Sequence, residues 1–301
     1  MNDELFDKDL LIIENSEELQ KVKDDHPNFD GYYVASACIK ERHNKFNKLW
    51  QCFKPFADRH FLSQIKIDFH ERSWEMYIGC LLKKIFPNIS SGNSGPDFVI
   101  NQGEDDEIYI EAVACRHGDS ADKVPELIPA TNIDDISIND VPEDAMLLRL
   151  ASSISYKAKK YKDFIQTKNK PYIIAVNKGA LRHPDPEIPL ILKCLFGFTC
   201  QCFKKINGEL VYSGWQARDF ITKNNGEQIS MKFFEDKNND FVSGIIYSPI
   251  DILNAPDEIG NDCVLIHNPN AKNPIGLDKF SILQQRVAKY SNDGLKVELV
   301  K

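Results

Sequence analysis

With 301 residues, 42% of them apolar and 27% charged, the chain has the composition of a globular protein with its own core, which excludes disordered and fibrous readings. Its 37 Lys and Arg against 45 Asp and Glu leave a net charge of −8, which excludes whole-surface attraction to nucleic acid or anionic lipid and leaves only local basic faces. No apolar run reaches the roughly 18 residues of a membrane helix, and the opening Met1-Asn2-Asp3-Glu4 is acidic where a signal peptide is basic, so a cytoplasmic, bacterial-type protein without a membrane partner is expected.

Residues 1–69 read as a polar, helical N-terminal extension, with Trp50, Phe53 and Phe56 available to dock it on a larger body. Between Lys40 and Lys66 seven Lys or Arg stand against Glu41 and Asp58, either as a solvated face or as a phosphate-contacting one. From His70 onward, Trp74, Ile78, Leu81 and Ile85 recur at helical spacing, and Pro87 ends that helix. The cluster Ser90-Ser91-Gly92-Asn93-Ser94-Gly95-Pro96 predicts a turn. Asp97–Ile100 and Ile108–Val113 then predict two strands of a hairpin with an acidic tip.

Residues 116 to 144 hold Pro125, Pro129 and Pro142, few periodic apolars, and five acids from Asp134 to Asp144, which predicts a long loop. Leu147, Leu150, Ile154, Ala158, Tyr161 and Ile165 form the stripe of a second helix, whose other faces carry six lysines between Lys157 and Lys170. Pro171–Asn177 is a continuous apolar run, as in a strand buried on both faces. Beyond it come an apolar element near Leu190 to Phe203, an irregular polar stretch from Gly208 to Asp240, and strand-like runs at Val242–Ser248 and Cys263–His267. The expected domains are the extension (1–69), an α/β core (70–180), and an elaboration (181–301) that continues the same sheet. The eight cysteines lack a Cys-x-x-Cys pair and are expected as reduced, buried thiols; Cys200-Gln201-Cys202 puts two sulfurs on one strand face, a spacing commoner in cores than at metals.

Three carboxylates stand out. Glu75 lies beside its helix stripe, Asp97 opens a strand, and Glu111 sits among apolar neighbours in the next strand, where burial is costly unless a cation or donors meet it. Hairpin pairing can set Asp97 near Glu111, and two or three carboxylates suffice for a hard divalent ion that keeps several waters. Taken singly, Asp97 also suits a turn cap and Glu111 a pair with Arg or Lys. His117, Asp119 and Asp122 read as a polar loop, and His267-Asn268-Pro269 as a strand end and turn.

Gly95-Pro96-Asp97, followed after 13 residues by Glu111-Ala112-Val113 and preceded by the helix stretch Arg72-Ser73-Trp74-Glu75-Met76-Tyr77, resembles the PD-(D/E)XK, or restriction endonuclease-like, nuclease superfamily over roughly residues 70 to 177. The resemblance implies an α/β fold whose core runs helix, three-stranded antiparallel meander, helix, strand. It implies magnesium, with manganese substituting, held by Glu75, Asp97 and Glu111 and possible help from the Ala112 carbonyl. The implied activity is phosphodiester hydrolysis of nucleic acid, DNA ahead of RNA. The superfamily's lysine, expected two residues after Glu111, is Val113 here. Lys157, at the inner edge of the second helix's stripe, is the candidate to replace it as a catalytic residue, ahead of Arg116 and Lys123. The alternative is a catalytically inactive nuclease-fold protein that binds nucleic acid or a protein partner.

Overall fold

The computed structural model describes residues 4–92, 95–118, 121–127, 140–291 and 294–300 of a mixed α/β chain. The chain divides into two units: residues 1–112 with 252–259, and residues 113–251 with 260–301.

In the first unit, α1 (Ser16–Asp25) starts where the Asn15 side chain accepts the Glu18 N–H. α2 (Gly31–Cys38) is capped by Asp30, one oxygen of which accepts the Tyr32 N–H at 2.7 Å. The other takes the Phe69 N–H at 3.1 Å, so one carboxylate ties together the starts of α2 and the later helix α5. α2 corrects the polar expectation for this region: Tyr33 through Cys38 are all buried. α3 (Lys40–Phe53) buries Phe46, Leu49, Trp50 and Phe53, one stripe of a 3.6-residue period. Phe56, expected to dock with Trp50 and Phe53, is only half-buried.

After the short α4 (Phe61–Gln64) comes α5 (Phe69–Ile85), the helix read from the Trp74 stripe. Gly79 on α5 is a close-approach position: a Cβ there would lie 2.6 Å from the Phe53 ring and 3.1 Å from the Phe98 ring. That contact seats α5 against the sheet one turn beyond Glu75. The sheet of this unit is the antiparallel meander β1 (Ile89–Ser91), β2 (Phe98–Ile100) and β3 (Ile108–Ala114). β1 overlaps the start of the predicted turn cluster, of which Asn93 and Ser94 lie outside the described residues. Residues 252–259 return to this unit, where Lys45 Nζ donates to the carbonyls of Leu253 and Ala255 and Lys84 pairs with Glu258.

In the second unit the chain continues from the end of β3, where the Cys115 N–H donates to the Asn177 carbonyl at 2.7 Å. The loop expected over 116–144 is non-helical where described, and 119–120 and 128–139 lie outside the described residues. α6 (Glu143–Lys168) buries the whole predicted stripe and ends at Asn169 in the left-handed region, φ 50°. β4 (Tyr172–Asn177) is buried at all six positions. β4 pairs in parallel with β9 (Gly244–Ser248), β9 antiparallel with β10 (Val264–His267), β10 in parallel with β11 (Gln284–Ser291), and β11 antiparallel with β12 (Gly294–Leu299).

The apolar run near Leu190 resolves into α7 (Leu190–Phe196) followed by β5 (Phe198–Ile206). The stretch expected to be irregular holds two hairpins, in which β6 (Glu209–Ala217) pairs with β5 and β7 (Phe220–Thr222) with β8 (Gln228–Ser230). β5 turns into β6 through Asn207 and Gly208, both at positive φ as a tight hairpin demands. All eight cysteines are free thiols; Cys200 is exposed and Cys52 and Cys202 half-buried, against the expectation of buried thiols. Among the described residues no helix is long and apolar enough to cross a membrane.

Candidate active site

The first unit builds the site from the β2–β3 pair outward. The register Phe98↔Ile110, continued by one residue, sets Asp97 opposite Glu111, and opposed residues of an antiparallel pair share a face. Gly95 enters this turn at φ 117°, a conformation that side chains disfavour, and brings Pro96 and Asp97 onto the sheet. Asp97 and Glu111 then interlock through main-chain amides: the Ala112 N–H donates to Asp97 Oδ2 at 2.8 Å, and the Asp97 N–H donates to Glu111 Oε2 at 3.1 Å. Glu111 is fully buried and Asp97 half-buried. Both carboxylates are therefore aimed by main-chain groups rather than left to rotate in solvent.

Glu75, on α5, lies within reach of Asp97's charge. Its carboxylate pairs with Arg72 one turn earlier, and the two side chains are 12% and 21% exposed. Burial, then the negative charge of Asp97, push the Glu75 pKa up to about 8 in spite of Arg72. Burial works against the Arg72 charge as well, but Glu75, Asp58 and Asp97 outweigh it and push its pKa up. Burial and Asp97 together thus outweigh the arginine beside Glu75. Arg72 belongs to the site, and its signal was in the sequence: Arg and Glu three apart on a helix lie on one face.

Of the four residues singled out by sequence, Glu75, Asp97 and Glu111 belong to the first unit and Lys157 to the second. Lys157 lies half-buried on α6, and its carbonyl accepts from the Tyr172 hydroxyl at 3.4 Å. Val113, at the position of the superfamily lysine, is 6% exposed. Lys123 pairs with Glu126, and Arg116 is exposed. The His117 ring nitrogens meet the carbonyls of Val124 and Ala180, which makes it a clasp for its loop. Asp122 accepts the Asn224 N–H, Asp119 lies outside the described residues, and His267 ends β10 as read.

Among the described residues no group of three or more His, Cys, Asp and Glu side chains converges as a ready metal cage. The carboxylates here are turned toward protein donors: Glu75 to Arg72, Asp97 to Ala112, Glu111 to the Asp97 amide. The donor set nonetheless fits a hard divalent cation in kind, since it is made of carboxylate oxygens.

Comparison with protein-family models, curated proteins and solved structures found no match. The site's own chemistry carries the reading.

Proposed function

We propose that the chain is a metal-dependent nuclease of the PD-(D/E)XK type that hydrolyses phosphodiester bonds, with DNA as the expected polymer. The observation that carries this reading is the interlock of Asp97 with a fully buried Glu111 on neighbouring strands, with Glu75 inside the reach of Asp97's charge. Asp97, Glu111, Glu75 and the Ala112 carbonyl would hold magnesium, or manganese in its place. Such an ion lowers the pKa of a bound water and neutralises charge that builds on the phosphate. The protein's share is orientation: the Ala112 amide fixes Asp97, the Asp97 amide fixes Glu111, and Arg72 holds Glu75. Lys157 is proposed to supply the cation that Val113 does not.

The basic stretch from Lys40 to Lys66 contributes less to phosphate binding than its count suggests. Lys45 is committed to the Leu253 and Ala255 carbonyls and Lys66 to Asp7. On α6, Lys159 and Lys160 are exposed, Lys160 with its ammonium over the Tyr161 ring.

The second reading, an inactive nuclease-fold protein that binds nucleic acid or a protein partner, draws on the buried Val113 at the lysine position. Cleavage of plasmid, single-stranded DNA and RNA with magnesium or manganese separates the two, using wild type beside Asp97→Ala, Glu111→Ala and Lys157→Ala. The nuclease reading expects wild type to cleave and each variant to lose about 100-fold or more with its fold intact. A wild type that cleaves nothing with either metal, or an Asp97→Ala protein that cleaves as well as wild type, hands the argument to the binding reading.

A further inference from the structure

The second unit contains a pocket of about 480 Å³ bounded by α6, the loop before it and the turn of the β7–β8 hairpin. Its polar lining is Asp122, Arg149, Ser152, Lys223, Asn224 and Asn225. Arg149 is the unusual member. Its Nε is enclosed by the protein and has no hydrogen-bond partner among the described residues. A guanidinium donor taken out of water without an acceptor is costly, and such a group calls for a missing ion or water.

The surroundings hold that guanidinium in place. Gly118 sits at φ 84°, and a Cβ there would fall on the Arg149 guanidinium itself, at 1.4 Å from Nη2. The backbone of the loop therefore passes directly over the arginine, which only glycine permits. Arg149 and Ser152 are three residues apart on α6 and lie on one face of it.

From the hairpin side, Lys223 pairs with Glu227 at 2.7 Å, and its side chain is 25% exposed. A solvent-facing pair of this kind is worth little in water, so Lys223 can turn to a stronger acceptor at small cost. Asp122 is the opposing charge in the lining, and it is occupied in accepting the Asn224 N–H at 3.0 Å. Two cations, a hydroxyl and two amide side chains thus face one acid. Arginine's planar donors match tetrahedral oxyanions in particular.

We propose that this pocket is a binding site for a phosphoryl group, with Arg149 as its anchor and Ser152 and Lys223 as its flanking donors. The site goes beyond the nuclease reading and does not require it. The phosphoryl group comes either from a free phosphate compound, such as a mononucleotide, or from a nucleic-acid backbone.

The test is calorimetric titration of the full chain in buffer with EDTA, so that failure of metal-dependent cleavage leaves it unaffected. The titrants are inorganic phosphate, thymidine monophosphate and a short single-stranded oligonucleotide. At least one titrant is expected to bind wild type, with Arg149→Gln and Lys223→Gln each weakening it about tenfold or more. Binding of phosphate or the mononucleotide assigns the free source, and binding of the oligonucleotide alone assigns the backbone. Lys223 is on a hairpin turn and Ser152 is half-buried, so Lys223→Gln and Ser152→Ala keep the test open should Arg149→Gln fold poorly. Absence of binding by all three titrants, or unaltered binding by folded Arg149→Gln or by Lys223→Gln, overturns the proposal.

Discussion

Each unit buries charge, and the two do it differently. In the second unit Lys178 is 1% exposed, and its ammonium meets Asp185 at 2.9 Å and the His183 carbonyl at 2.5 Å. Asp185 also accepts from the Tyr247 hydroxyl, whose pKa burial and then Asp185 push well up, so the phenol stays a donor. Every charge in that group has an answering one, as a buried pair must to be tolerated. In the first unit, Glu75 sits beside Arg72 and still has its pKa pushed up to about 8 by burial and Asp97. The balanced group is scaffolding. The unbalanced one holds a carboxyl whose ionisation burial and a neighbouring acid oppose.

The comparison can be broken most forcefully at Lys178. Lys178→Met leaves the Asp185 carboxylate without its ammonium and is expected to cost about 3 kcal/mol in urea unfolding. A cost near zero would mean that the second unit does not depend on charge pairing. Glu75→Gln is expected to act in the opposite direction. It removes a buried carboxyl whose ionisation burial and Asp97 oppose, and should stabilise the metal-free protein by about 1 kcal/mol while weakening magnesium binding in the same preparation. Loss of stability of that size would show that the pair with Arg72 outweighs the repulsion.

The smallest effect concerns His267, whose pKa burial lowers while its bond to Gln285 opposes the shift. A base with a lowered folded pKa is protonated more readily when unfolded. Its contribution to stability is therefore present above about pH 6.5 and fades as the pH falls below that value. His267→Gln should flatten part of the loss of stability between about pH 7 and about pH 5. An unchanged slope would exclude His267 as a cause.

In both units the elements that rest on local rules were legible. The stripe of α5 and the strand at β4 announced themselves by period and by unbroken apolar character, and alternation along β2 and β3 sufficed to bring Asp97 toward Glu111. β1 was hidden because Ile89-Ser90-Ser91 is short and mostly hydroxylic. The β5–β6 hairpin was hidden because exposure along β5 gives no inward face to alternate. Lys178 was beyond reach for another reason: lysine is an exposed residue by default, and only the folded turn that brings Asp185 and the His183 carbonyl back onto its ammonium makes its burial tolerable.

Residues 252–259 carry a consequence for how the chain matures. They belong to the first unit, clasped by Lys45 through two carbonyls and by Lys84 through Glu258. Domains generally fold as they emerge, N-terminal first. Here the N-terminal unit waits: it is not whole until Ile259 has been synthesised, with most of the second unit already made. The unit that begins first is closed late.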